Sequence, residues 1–161
     1  MIEESASFEA VLPDPEATEA LGARIALQLR PCDLVLLEGP LGAGKTTLVR
    51  GLVTALGGDP GEVCSPTFVL LESYAVRSRG ISTVHHADLY RLRGRPTAPW
   101  DEVGLGDVLE DPTGVTAVEW PEAWEWRGAD AKRVLRVRLA YRDDGRTASV
   151  IREAKGGDGG Q

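Results

Sequence analysis

Apolar side chains recur at steps of four from Ala17 through Leu21 and Ile25 to Leu29, behind an Asp14-Pro15 pair and ahead of Pro31. Aspartate before proline is a helix start: the carboxylate caps free N–H groups, and the ring is tolerated at the first helical position. Proline at 31 cannot continue the helix, so the pattern predicts a helix over 14–30 with one buried stripe. Upstream, Phe8, Ala10 and Leu12 alternate on one face, the period of a short edge strand. The unbroken run Leu34-Val35-Leu36-Leu37 has no polar face and reads as a buried strand. Beyond it Leu48, Val49, Leu52, Val53 and Leu56 mark the inner face of a second helix, which Gly57-Gly58 ends.

The second half of the chain reads as mostly strand. Asp59-Pro60-Gly61 is a turn, and residues 68–76 and 81–87 are two strands joined through Arg77-Ser78-Arg79-Gly80, a connection short enough to make them antiparallel. Residues 93–99 form a Gly/Pro loop, 100–110 a short helix and 114–118 a buried strand. Strands at 134–141 and 147–151 flank Asp143-Asp144-Gly145, a hairpin turn. The order predicts one α/β domain, with a mixed, mainly parallel central sheet, flanking helices and a C-terminal β-hairpin. Such a sheet binds its ligand at the carboxyl ends of its strands. The domain is expected over 1–154, with the Gly-rich residues 155–161 as a disordered tail.

Composition narrows the class. A chain of 161 residues builds one hydrophobic core and has no room for a substrate domain of any size. Its net charge of -7 argues against a protein whose main business is coating nucleic acid. Cys32 and Cys64 have neither the number nor the spacing of a disulfide framework or a zinc site. Without a charged-then-apolar leader or an apolar stretch approaching ~20 residues, the expectation is a cytoplasmic protein with no membrane contact.

Between the first buried strand and the second helix stands Gly39-Pro40-Leu41-Gly42-Ala43-Gly44-Lys45-Thr46, a complete G-x-x-x-x-G-K-[ST] phosphate-binding loop in the strand-loop-helix setting it requires. Gly39, Gly42 and Gly44 let the backbone curl so that successive N–H groups face one concavity, and the helix N-terminus adds partial positive charge. Most phosphate contacts are expected from residues 42–47, including Ala43 and Thr47. Lys45 would reach the outer phosphates, and the Thr46 hydroxyl would take one position on a magnesium ion. Pro40 has no N–H to donate, a loss that should matter little if residues 42–47 carry the contacts.

Hydrolysis needs a carboxylate to complete the metal shell or orient a water. Glu119, after Val115-Thr116-Ala117-Val118 and before Trp120-Pro121, and Asp88, after Val84-His85-His86-Ala87, stand where acids at the carboxyl edge of the sheet should be. Thr67, in Ser65-Pro66-Thr67-Phe68, offers a hydroxyl suited to sensing a terminal phosphate or its magnesium. Adjacent His85 and His86 point to opposite faces of a strand and do not share a metal in the usual way, so at least one is read as a structural hydrogen-bonding residue. The four tryptophans read as core or interface anchors, with Trp120 set apart because it adjoins Glu119. Two Arg-rich runs, 77–95 and 132–146, read first as solvated strand faces and second as partner-facing or RNA-facing surface.

Four segments in order, Gly-Pro-Leu-Gly-Ala-Gly-Lys-Thr-Thr (39–47), Ser-Pro-Thr-Phe (65–68), His-Ala-Asp-Leu-Tyr-Arg (86–91) and Glu-Trp-Pro (119–121), resemble the bacterial TsaE family. Members are P-loop ATPases of the pathway that makes threonylcarbamoyladenosine beside the anticodon of tRNAs. The resemblance spans about residues 10–152. It implies a small ATP- and magnesium-dependent ATPase that binds a TsaD–TsaB complex, where TsaD transfers the threonylcarbamoyl group and nucleotide hydrolysis supports repeated turnover. Contact of this chain with tRNA, and its oligomeric state, are left open. By resemblance Lys45 is the phosphate-binding lysine, Thr46 the magnesium-binding hydroxyl, Glu119 the magnesium-associated glutamate, Asp88 an acid needed for hydrolysis and Thr67 the switch-like threonine. Gly145 and Arg146, in the final hairpin, are placed near the adenine end. Two other readings share the loop: a small-molecule or nucleotide kinase, for which the 91–99 loop is the lid candidate, and a non-catalytic module that nucleotide locks in one shape. A GTPase fits less well, since Asp101-Glu102-Val103-Gly104 follows no apolar strand and no Asn-Lys-x-Asp is present.

Overall fold

Leu34–Glu38, the apolar run, is the centre of a sheet with strands on both sides, and that position explains why it has no polar face. The computed structural model describes residues 7–67, 69–95, 104–123 and 133–153. These form seven strands, β1 (Phe8–Leu12), β2 (Leu34–Glu38), β3 (Leu71–Ser78), β4 (Ile81–Asp88), β5 (Gly114–Glu119), β6 (Val134–Arg142) and β7 (Gly145–Glu153), in spatial order β1-β7-β6-β2-β5-β4-β3. Strands β6, β2, β5 and β4 run parallel, while β3 and β7 are antiparallel to their neighbours. β1 pairs antiparallel with β7 and therefore points with the parallel core. The mixed, mainly parallel sheet and the closing hairpin are as expected.

Among the described residues three α-helices flank it: α1 (Pro15–Ala26), α2 (Lys45–Ala55) and the single-turn α3 (Leu105–Leu109). Alternation along each strand divides the core. Val35, Leu37, Val84, Val115, Ala117 and Val137 face α1 and α2, meeting Leu21, Ile25, Leu48, Val49, Leu52 and Val53. Leu34, Leu36, Ala87 and Val118 face the other way, onto Leu89, Leu92 and Leu105. Register places the site. Leu37 lies opposite Glu119, and Glu119 opposite Asp88, so the glycine loop after β2 and the two acids share one edge of the sheet.

Several boundaries differ from the sequence pattern. The first helix stops at Ala26 rather than 30, because the Arg79 guanidinium donates to the Ala26 and Leu27 carbonyls and Gln28 and Leu29 tighten into i→i−3 bonds. Leu29 still reaches the core. Strand β3 begins at Leu71, since Leu70 has a left-handed φ of 67° and its N–H turns back to Pro66 O at 2.7 Å. Asp88 and Glu119 are the last residues of their strands, one position further in than expected. Of the short helix expected over 100–110, residues 105–109 are helical and 100–103 lie outside the described residues. So do Phe68, Trp100, Trp124, Trp126, Lys132, residues 96–99 of the lid candidate and the tail 155–161.

Three arginines of the second basic run are paired with acids of this chain. Arg133 bonds Asp33, Arg136 bridges Glu38 and Glu153, and Arg138 bonds Glu38. These pairs cross β2, β6 and β7 and leave the guanidiniums neutralised in place.

His85 is the structural histidine. Its Nδ1 lies 2.8 Å from Ser73 Oγ and its Nε2 2.8 Å from Asp111 Oδ2, tying edge strand β3 through β4 to the turn before β5. The hydrogen bond from His85, with a second from the Thr113 N–H, holds the Asp111 carboxyl below the usual aspartate value of 3.8. A carboxyl lowered in the folded state adds stability above 3.8, and that contribution is lost as pH falls through the folded-state value. Asp111→Asn is therefore expected to melt slightly below wild type at neutral pH, with the gap closing below pH 3.8. Thermal melts at stepped pH check this, and a gap that widens toward acid contradicts it.

Candidate functional site

The loop leaves β2 at Gly39 and delivers Lys45 and Thr46 to the first turn of α2. Gly42 and Gly44 have φ of 75° and 106°, values that only glycine adopts without strain, and Gly44 caps α2 with no side-chain bond. The helix N-terminus thus opens on free backbone donors rather than on a capping carboxylate. Pro40 contributes through its carbonyl, which accepts from Ala43 N at 3.1 Å and from Lys45 Nζ at 3.0 Å. Its missing N–H leaves no gap in this arrangement.

Lys45 is 5% exposed, with Nζ bonded to the Gly39 and Pro40 carbonyls and 4.1 Å from the centre of the Trp120 ring. Burial pushes its ammonium below the usual lysine range, against the pull of Glu119, Asp88 and Glu122. Trp120 reaches that position through a left-handed backbone, φ 59°, while its N–H donates to Leu37 O at 3.2 Å. Tyr90 and Arg93 pack on the same indole. The position next to Glu119 therefore serves the site, which sets Trp120 apart from a simple core anchor.

Across the cleft the acids meet hydroxyls. Thr46 Oγ1 donates to the Glu119 carboxylate, at 3.0 and 3.2 Å from its two oxygens. Asp88 Oδ2 accepts from Ser65 Oγ at 2.9 Å and Thr67 Oγ1 at 3.1 Å, and Oδ1 accepts from Tyr90 N at 3.0 Å. Both carboxylates are 3% exposed. A cleft of about 370 Å³ is lined by residues 42–47 together with Thr67, Asp88 and Glu119, so the loop and the candidate acids open onto one space. Gly39 sits behind it, where a side chain would strike Leu139 O.

Gly145 and Arg146 fall on a second hollow of about 150 Å³, on the α1 side of the loop, which shares Gly42, Ala43, Gly44 and Thr47 with the first. Arg146 donates to Gly42 O at 3.3 Å, and a Cβ on Gly145 would lie 2.6 Å from Leu12 O. The hairpin thus abuts the glycine loop from the side away from the acids.

Three participants escaped the sequence reading. Ser65 shares Asp88 with Thr67, and Tyr90 lines the cleft beside Trp120. His86 places Nε2 2.6 Å from Glu119 Oε2. The signal for His86 was present in the i, i+2 spacing from Asp88, which puts both side chains on the α2 face of β4.

The donor set has a definite chemical character. A hydroxyl and a carboxylate, both hard oxygen donors at the N-terminus of a helix, suit a magnesium ion that takes one or two protein oxygens and fills its shell with water and phosphate. Among the described residues no three His, Cys, Asp or Glu side chains gather into a metal cage, an arrangement such a nucleotide-borne ion does not need.

Comparison with known proteins places the chain in a family. The family model described as "Threonylcarbamoyl adenosine biosynthesis protein TsaE" matches residues 12–148. The chain is 42% identical over 116 residues to the tRNA threonylcarbamoyladenosine biosynthesis protein TsaE of Synechocystis sp., covering 72% of this chain and 71% of that one. It is 38% identical over 144 residues to the Mycobacterium bovis TsaE (87% and 84% covered) and 41% identical over 132 residues to that of Streptomyces coelicolor (82% and 84%). The crystal structure of Bacillus subtilis YdiB is similar over 94% of this chain and 87% of that one, with a TM-score of 0.62 and 26% identity. No helix among the described residues is long and apolar enough to cross a membrane. With a family model over most of its length and relatives at this identity, the chain belongs to the TsaE family of tRNA threonylcarbamoyladenosine biosynthesis proteins.

Proposed function

We propose that the chain binds ATP with magnesium and hydrolyses it, and that this hydrolysis supports threonylcarbamoyl transfer to the tRNA adenosine beside the anticodon through a TsaD–TsaB complex. One observation carries the reading: Glu119 holds the Thr46 hydroxyl at 3.0 Å in the same cleft that Asp88 faces with Ser65 and Thr67. A loop that only grips phosphate has no use for two buried acids at the same register of adjacent strands.

The division of labour follows from position. Backbone N–H groups of residues 42–47 and the α2 N-terminus hold the phosphates. Lys45 exchanges its bonds to Gly39 and Pro40 for phosphate oxygens and neutralises charge as the terminal phosphoryl group leaves. Thr46 and Glu119 would hold a magnesium ion, which would supply positive charge to offset that of the phosphates. Asp88 is the acid that orients the attacking water, with Ser65 and Thr67 fixing its Oδ2. Ser65 and Thr67 sit on a loop, a placement that lets the terminal phosphate reset them.

Hydrolysis by the chain alone is expected to be slow, to stop in EDTA and to rise when the TsaD–TsaB pair is added. A phosphate-release assay with and without the pair measures this. Absence of stimulation, together with no association in ATP, contradicts the reading.

A further inference from the structure

The proposed division of labour leaves one buried polar chain unused. His86 has no exposed surface, and its Nε2 lies 2.6 Å from Glu119 Oε2, the oxygen that also stands 3.0 Å from Thr46 Oγ1. A carboxylate only accepts, so Nε2 carries a hydrogen and donates it to Glu119, while Nδ1 faces the other way. Nδ1 is 3.0 Å from the Tyr74 hydroxyl, and that hydroxyl is also 3.2 Å from the Cys64 carbonyl. Burial pushes the Tyr74 phenol up to about 12, so it keeps its one proton. The hydroxyl donates to the Cys64 carbonyl and also bonds Nδ1, so it links the imidazole to the backbone at residue 64. Opposite His86 on β5 is Ala117, small enough to let the imidazole lie against the strand that ends in Glu119.

The far end of the chain gives it meaning. Cys64 immediately precedes Ser65 and Thr67, the two hydroxyls that bond Asp88. The 64–67 segment is thus tied to the cleft twice, from above through Asp88 and from beneath through Tyr74, His86 and Glu119.

We propose that His86 is a positioning residue for Glu119, and that Tyr74 couples it to the root of the Ser65–Thr67 segment, so that the metal-facing carboxylate and the phosphate-facing hydroxyls are set together. The inference rests on the magnesium reading of Glu119. A free glutamate side chain samples several rotamers, whereas donors from both Thr46 and His86 on Oε2 fix the carboxylate plane. Loss of such an outer partner costs about 10–100-fold in metal affinity or activity.

The test is equilibrium binding of a fluorescent, non-hydrolysable ATP analogue to the full chain, in EDTA and in magnesium. Wild type is expected to bind more tightly in magnesium. His86→Leu should keep the wild-type affinity in EDTA within about twofold and lose about 10–100-fold of the magnesium-dependent gain. Glu119→Gln should lose the same gain, and the double variant no more than either single one. Tyr74→Phe keeps the buried ring and removes only the hydroxyl. It should lose about 3–10-fold of the gain, and it carries the test if His86→Leu fails to fold. Equal losses in EDTA and magnesium would mean that His86 merely fills the core, and would overturn the inference. So would wild-type gains in both His86→Leu and Tyr74→Phe beside a defective Glu119→Gln, an outcome that spares the magnesium reading. A wild type with no magnesium-dependent gain overturns both.

Discussion

Glu119→Ala is expected to lower ATP turnover by about 100-fold or more while leaving nucleotide binding in EDTA close to wild type. Among the described residues the hydrogen-bond partners of the carboxylate are the Thr46 hydroxyl and His86. Removing it should therefore strip the proposed metal side of the cleft and spare the proposed phosphate cradle of residues 42–47. Lys45→Ala should fail in the opposite place. It removes the ammonium that lies against Gly39, Pro40 and Trp120, and nucleotide affinity itself should fall with or without magnesium. Parallel measurement of turnover and of binding in the two variants separates the roles. Equal loss of binding in both contradicts the assignment of Glu119 to the metal.

The second large effect lies away from the cleft. Helices α1 and α2 meet backbone to backbone through two glycines, one on each. A Cβ on Gly51 would stand 2.0 Å from Glu19 O, and a Cβ on Gly22 would stand 2.1 Å from Leu48 O. Neither neighbour is a side chain that can turn aside. On an exposed helix Gly→Ala stabilises by about 1 kcal/mol, so propensity alone predicts a gain for Gly51→Ala. Overpacking wins here. The helices must separate, at a cost of about 3 kcal/mol, which lowers Tm by about 6–12 °C. Because α2 begins with Lys45 and Thr46, the shift should also weaken nucleotide binding. Thermal melts decide it, and an unchanged or raised Tm would mean that the crossing has slack.

What the residues disclosed in advance is what local chemistry controls. The buried run of β2, the glycine loop and the stripe of α2 are each contained within a few positions, and Asp88 and Glu119 could be placed because a strand end is a local event. What stayed hidden depends on partners distant in sequence. Helix α1 ends at Ala26 because Arg79 caps it from 53 residues away. The Arg-rich run 132–146 looked like free positive surface until Asp33, Glu38 and Glu153 were brought beside it. Ser65 looked like a neighbour of Thr67 and proved to share its acid. His86 was read through its chain neighbour His85, although its working partners, Glu119 and Tyr74, lie on the two adjacent strands. By helix propensity alone Gly22 and Gly51 would be weak points, and only the crossing of the two helices reveals their use.

The central claim is that hydrolysis, and not nucleotide binding alone, is what this chain supplies. It is tested most directly by counting modified adenosines formed per TsaD–TsaB complex on tRNA, with wild type or Glu119→Ala added in ATP and magnesium. Wild type should sustain many rounds, and Glu119→Ala should stall after about one, although it still holds nucleotide. A Glu119→Ala chain that binds ATP, fails to hydrolyse it and sustains modification at the wild-type rate would contradict the account.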